Sequence, residues 1–154
     1  MSSFRFRLER VLAWRETQLA IEEADLERLR LEKAAIEQAI GDLAAREARE
    51  TKALNRSRRL PGADVARIEG TRRWIAQDEK RLRLGIADCA RAIEKRASAV
   101  TEARRKVRLI EKLRERRLAH WQAEENRQLE AMASESAIAS WLRKNGQYAG
   151  PDGL

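Results

Sequence analysis

The chain has 154 residues, of which 38% are charged and 43% are hydrophobic, and it contains only two prolines. This composition is typical of a coiled coil rather than of a globular domain with a large core. The formal net charge of +8 points to an anionic partner, whether nucleic acid, membrane or acidic protein, although interleaved Arg and Glu are also what a solvated coiled-coil surface contains.

The first predicted element is a helix over about residues 4–58. Its seam positions are separated by alternating steps of four and three, which is a heptad pattern. They are Leu8, Leu12, Arg15, Leu19, Glu22, Leu26, Leu29, Lys33, Ile36, Ile40, Leu43, Glu47, Glu50 and Leu54. Phe4, Val11, Trp14 and Ile21 lie off this line, and they form either part of a broad buried stripe or a second docking face.

The helical pattern breaks at Pro61 and Gly62. Proline cannot donate to the helix ladder, and Asp64 can cap the helix that follows. We therefore expect a turn over about residues 59–63.

The second predicted helix covers about residues 64–142, and its seam also has heptad spacing. If it folds back on the first helix, facing residues have numbers that sum to about 122. This register pairs Ile36 with Ile86 and sets Glu50 against Arg72. It also sets Leu26 opposite Arg96, whose charge we expect to reach water along a buried stem.

The fold class is therefore all-α, a long antiparallel two-helix coiled-coil hairpin in which the second helix overhangs the first. From about His120 onward the second helix has no facing residue in this register, and we expect the overhang to order on a partner. Residues from about 143 to 154 are predicted to be a disordered tail, and the whole chain a single unit.

The sequence contains few of the residues from which a catalytic or metal site could be built. His120 is the single histidine and Cys89, on the seam, is the single cysteine, so no zinc site built on several histidines and no internal disulfide is available. No phosphate-binding glycine loop occurs. We expect no enzymatic activity, no cofactor, no membrane span and a cytoplasmic location.

Two segments resemble signatures of the FliJ family of flagellar export proteins. Residues 4–16 read Phe-Arg-Phe-Arg-Leu-Glu-Arg-Val-Leu-Ala-Trp-Arg-Glu. Residues 110–117 read Ile-Glu-Lys-Leu-Arg-Glu-Arg-Arg, and residues 121–127 read Trp-Gln-Ala-Glu-Glu-Asn-Arg. The length and the central break are also similar to those of the family.

The resemblance implies a stalk protein of type III protein export, at the cytoplasmic side of the inner membrane. Family members promote assembly of the hexameric export ATPase, link it to the export-gate membrane protein and handle export chaperones. Carried onto this sequence, the ATPase-contact candidates are Phe4, Arg5, Arg108, Lys112, Arg114, Arg116, Arg117 and Trp121. The gate-contact candidates, near the turn, are Arg72, Arg73 and Trp74.

Two alternatives stay open at this point. The injectisome counterpart, the YscO family, has the same architecture. A basic coiled-coil scaffold associated with nucleic acid is the competing class, although the sequence gives no reason to expect specific nucleic-acid recognition. Whether two copies pair through the heptads also stays open.

Overall fold

The computed structural model describes residues 3–57 and 61–146. These residues form two long α-helices packed against each other, α1 (Glu9–Arg56) and α2 (Gly62–Gly146), and contain no strand. The predicted all-α antiparallel helix pair, with a second helix that outruns the first, is confirmed. Both helices are rich in Ala, Leu, Glu and Arg, which have the highest helix propensities.

Ion pairs one turn apart reinforce each helix along its exposed surface. Examples are Arg28 with Glu32 in α1 and Arg83 with Glu79 in α2. Such pairs each contribute about 0.2–0.5 kcal/mol to helix formation. They make the high charge of the sequence compatible with helices of 48 and 85 residues.

The helix contacts divide into two compact units. Unit 1 comprises Met1–Ala13 with Arg108–Leu154, and unit 2 comprises Trp14–Val107. The core of unit 2 is a line of buried apolar side chains, Leu26, Ile75, Cys89, Val100 and Val107. In unit 1, Leu12 is buried.

The element ends differ from the sequence prediction. Helix α1 begins at Glu9 rather than near residue 4, because the Phe4 ring packs against Trp121 instead of continuing the helix. Helix α2 begins at Gly62, because the Pro61 carbonyl already accepts hydrogen bonds from the backbone amides of Asp64 and Val65. Asp64 therefore lies in the first turn, where its charge favours the helix N-terminus, and does not precede it as a cap.

The predicted turn and tail fall partly outside the described residues. Residues 58–60, within the expected turn, and residues 147–154, within the expected tail, are not described. Residues 143–146 are helical, contrary to the predicted tail. Arg143 and Lys144 suit this last turn, because cations are favoured at a helix C-terminus.

Cross-helix contacts within each unit follow the register expected from the heptads. In unit 2, a methyl group added at Gly85 would lie 3.5 Å from the Ile36 side chain, one residue from the predicted partner Ile86. In unit 1, Arg114 Nε lies 3.2 Å from Glu9 Oε2. In each of these two pairs, the residue numbers add up to a value close to the expected 122.

Two polar layers differ from the prediction. Glu50 is within 3.5 Å of Arg46 on its own helix, and Arg72 donates to Thr51 Oγ1 at 3.5 Å. Arg46 lies one turn before Glu50 on the same helix, at the spacing that favours an ion pair, so Glu50 pairs with Arg46 rather than with Arg72. Arg96, opposite buried Leu26, binds carboxylates and does not simply extend into water.

Candidate functional site

The open ends of the two helices meet in unit 1. The rings of Phe4 and Trp121 have centroids 6.0 Å apart and planes inclined by 53°, a tilted arrangement that favours aromatic pairs. Both side chains are half-buried. Two of the predicted ATPase-contact residues therefore contact each other and anchor the segment before α1.

Arg114 also has a partner inside the molecule. Its Nε donates to Glu9 Oε2, so this guanidinium joins the first turn of α1 to α2. Glu9 was not among the residues predicted for the site. The heptad register places Glu9 close to Arg114, so the sequence could have indicated Glu9 as the partner of Arg114.

The other predicted basic residues of unit 1 are exposed. Arg108, Lys112 and Arg116 follow one another at intervals of four along α2 and so share one helix face. Arg117 is also exposed but projects from a different side of α2, and Arg5 is exposed in the segment before α1. Within residues 3–57 and 61–146, none of these five cations has a carboxylate within ion-pair distance.

Two leucines that were not predicted as site residues border this basic face. Leu109 is 61% exposed and Leu113 is 37% exposed. Each directly follows a basic residue, Arg108 or Lys112, and the two are four residues apart. The sequence could have indicated this apolar border, because Leu109 and Leu113 are large apolar residues outside the seam and four residues apart. We call Arg108, Leu109, Lys112, Leu113 and Arg116 the basic face.

The gate-side candidates lie in unit 2. The Arg46 guanidinium lies over the Trp74 ring, 5.3 Å from its centroid, in a cation–π arrangement. Arg72 and Arg73 are both exposed, and Arg72 Nη2 donates to Thr51 Oγ1 at 3.5 Å. A shallow groove beside them is lined by Arg46, Arg67, Gly70, Thr71 and Trp74. Arg46 is a member of this cluster that the sequence analysis did not include.

Trp14 and Ile21 form the second apolar surface considered in the sequence analysis. About half of each side chain is exposed, and the Arg15 guanidinium lies 4.7 Å from the Trp14 ring centroid. In unit 2 the packed helix α2 therefore leaves these side chains open. This outcome favours the docking face over the buried stripe.

Arg96 lies between the two helices and contacts two carboxylates of α1. Its Nη1 donates to Glu22 Oε2 at 2.6 Å, and its Nη2 lies 3.6 Å from Asp25 Oδ2. The hydrogen bond and charge of Glu22, followed by the charge of Asp25, raise the pKa of the guanidinium above its ordinary value. Arg96 therefore has a structural role between the two helices.

Residues 3–57 and 61–146 contain no group of three His, Cys, Asp or Glu side chains placed to hold a metal ion. Cys89 is buried in the seam. The same residues contain no helix whose length and apolarity would let it cross a lipid bilayer.

No protein-family model, no curated protein and no solved structure matches the chain.

Proposed function

We propose that this chain is a non-enzymatic coupling protein of flagellar type III export, which promotes assembly and activity of the hexameric export ATPase and links it to the export gate. A role in handling export chaperones and a place at the cytoplasmic side of the inner membrane are parts of the proposal. The injectisome equivalent is the alternative within the same family resemblance.

One observation carries the proposal. The two segments that resemble the family signatures come together in unit 1, through the Phe4–Trp121 ring contact and the Arg114–Glu9 ion pair. The Phe4–Trp121 contact lies ahead of the first turn of α1, so it is not part of the heptad packing between the two helices. The paired segments leave the basic face exposed, and this face suits an acidic protein surface.

The test is the ATPase rate of an export ATPase from the same organism, measured alone and with this protein titrated in, at near-physiological salt. Stimulation accompanied by hexamer formation is expected. Reversing the basic face by Arg108→Glu, Lys112→Glu and Arg116→Glu should raise the concentration needed for half-maximal stimulation by about tenfold or more.

The matched control reverses three exposed lysines elsewhere, by Lys52→Glu, Lys80→Glu and Lys95→Glu. It makes the same change in net charge and should keep most of the stimulation. Equal loss in both triple variants would show that only net charge matters. Stimulation that is intact in the basic-face variant would exclude this face as the ATPase contact.

The net charge of +8 supports one other class, a nucleic-acid-associated scaffold. The same preparations should be titrated with duplex DNA at several salt concentrations. A steeply salt-dependent DNA affinity, together with no binding to an ATPase shown to be active, would replace the export proposal.

A further inference from the structure

Two arginines of α2 reach across to carboxylates of α1 within unit 2. Arg96 Nη1 lies 2.6 Å from Glu22 Oε2, and Arg96 Nη2 lies 3.6 Å from Asp25 Oδ2. Arg104 Nη2 lies 2.6 Å from Glu23 Oε1. We call Arg96 and Arg104 the cross-helix arginines.

The apolar seam alone permits more than one register of α1 against α2. Seam residues recur every seven residues, so a shift by seven residues again sets apolar residues opposite one another. In the register that sums to about 122, Leu29 faces Ile93, and a shift by seven brings it opposite Ile86 or Val100. Either shift moves the connecting turn by about one helical turn. Apolar packing therefore does not by itself select one register.

Arg96 opposes the shift in one direction. In the first shift, each residue of α2 meets residues of α1 whose numbers are lower by seven. Arg96 would then meet Arg15 and Gln18 in place of Glu22 and Asp25, so it would lose both carboxylates and face a cation. The Arg96 and Glu22 side chains are only 36% and 27% exposed, so water and salt screen this pair less than an exposed pair.

Arg104 opposes the shift in the other direction. In the second shift, the α1 residues met by α2 have numbers higher by seven, and Arg104 would meet Arg30 in place of Glu23. Opposing two cations costs free energy. In the first shift Arg104 would meet Glu16, another carboxylate, so it does not oppose that shift. Each arginine therefore acts against a different direction.

We propose, independently of the export function, that the cross-helix arginines fix the register of α1 against α2, with Arg96 preventing the first shift and Arg104 the second. Polar residues placed at a heptad seam and its borders are known to select register in coiled coils.

The register in turn assembles contact surfaces that use both helices. In unit 2 the Arg46 guanidinium of α1 lies over the Trp74 ring of α2. The first shift would put Ala39 in the place of Arg46, and the second would put Ala53 there. Only the observed register therefore forms this cation–π contact.

The test measures the distance between two spin labels in the full chain by pulsed electron paramagnetic resonance. The labels are attached at Ala20→Cys and Lys80→Cys, both exposed positions of unit 2, with Cys89→Ala to remove the native thiol. In the observed register these positions are offset by about 22 residues, or about 33 Å along the helices. A single distance is expected.

Charge reversal at Arg96 should populate the first shift. Arg96→Glu sets a carboxylate against Glu22 and Asp25, whereas the first shift brings it to Arg15. A second distance, shorter by about 10 Å, is therefore expected. Adding Glu22→Arg restores the pair with exchanged charges and should restore the single distance.

Charge reversal at Arg104 should act in the opposite sense. Arg104→Glu sets a carboxylate against Glu23, and the second shift brings it to Arg30. A second distance, longer by about 10 Å, is expected. Arg91→Glu is the matched control, because Arg91 pairs with Asp88 of its own helix, and it should keep the single distance.

Each variant is first checked for the helical circular dichroism of the wild type. If Arg96→Glu loses it, Arg96→Gln takes its place and should also give the shorter distance, since Arg104 alone then opposes a shift. A folded Arg96 variant that keeps only the native distance would overturn the proposal. So would reversals at Arg96 and Arg104 that change the distance in the same direction.

Discussion

Ile75 has the least exposed side chain of the described core, with 2% of its surface accessible. Removing its side chain by Ile75→Ala should cost about 2–4 kcal/mol of unfolding free energy, because a buried aliphatic side chain loses its contacts and leaves a cavity. Leu84→Ala in the same helix is the control, since Leu84 is 62% exposed. Its effect should stay below about 0.5 kcal/mol. Urea unfolding followed by circular dichroism measures both, and equal losses would show that Ile75 is not a core residue.

Arg96 gives a prediction about pH. Arg96→Met removes the hydrogen bond to Glu22 and should lower the midpoint of thermal unfolding, more than Arg91→Met does at an exposed pair within one helix. The pKa of Arg96 is raised, and the group is a cation. Its contribution is therefore fully present at neutral pH and is lost only as the pH rises through the range where the guanidinium deprotonates.

The difference in midpoint between the wild type and Arg96→Met should therefore be constant from about pH 6 to about pH 10. Thermal scans at several pH values measure it. A difference that disappears as the pH approaches 10 would mean that Arg96 does not stabilise the helix pair through its charge.

At the level of the helices, the glycines inside α1 and α2 are weak points. Gly41→Ala should raise the unfolding free energy by about 1 kcal/mol, because alanine loses less backbone entropy and nothing lies within 4 Å of the added methyl group. Ala44→Gly, at a nearby exposed helical position, should lower it by about the same amount. Chemical unfolding of both variants measures the pair. A destabilising Gly41→Ala would indicate a contact that the free space at this position does not suggest.

The existence and pairing of the helices could be predicted from the sequence, because the heptad pattern is long and Pro61 interrupts it at one place. The helix starts could not, because each depends on a contact that the heptad pattern does not contain. The start of α1 is set by Phe4 packing on Trp121, a contact between residues far apart in sequence. The start of α2 depends on the carbonyl of Pro61, which the sequence pattern does not orient.

The candidate site was predictable to a similar extent. Exposure of Arg108, Lys112 and Arg116 follows from their positions off the seam. The internal pairing of Arg114 does not, because it requires the register of α2 against Glu9. The expected Glu50–Arg72 pair was wrong because a same-helix partner, Arg46, was not weighed against the cross-helix one.

For the molecule as a whole, Cys89 reports on separation of the helices. It is the single thiol of the chain, it is buried, and it lies in the seam between α1 and α2. A thiol reagent should modify it at least about tenfold more slowly in the native protein than in denaturant, since the reagent needs the thiolate to be accessible. Addition of Ile75→Ala should speed the native reaction. An equally fast reaction in native and denatured protein would contradict a stable helix pair in solution.

The four tryptophans also make the molecule a set of optical probes. Trp14, Trp74 and Trp121 have a cation or an aromatic ring beside the indole, and Trp141 is open to water. A protein that retains only Trp141 should therefore emit at the longest wavelength and be quenched most readily by acrylamide. Each single-tryptophan protein would then signal, by its own change in fluorescence, which stretch of the two helices a binding partner covers.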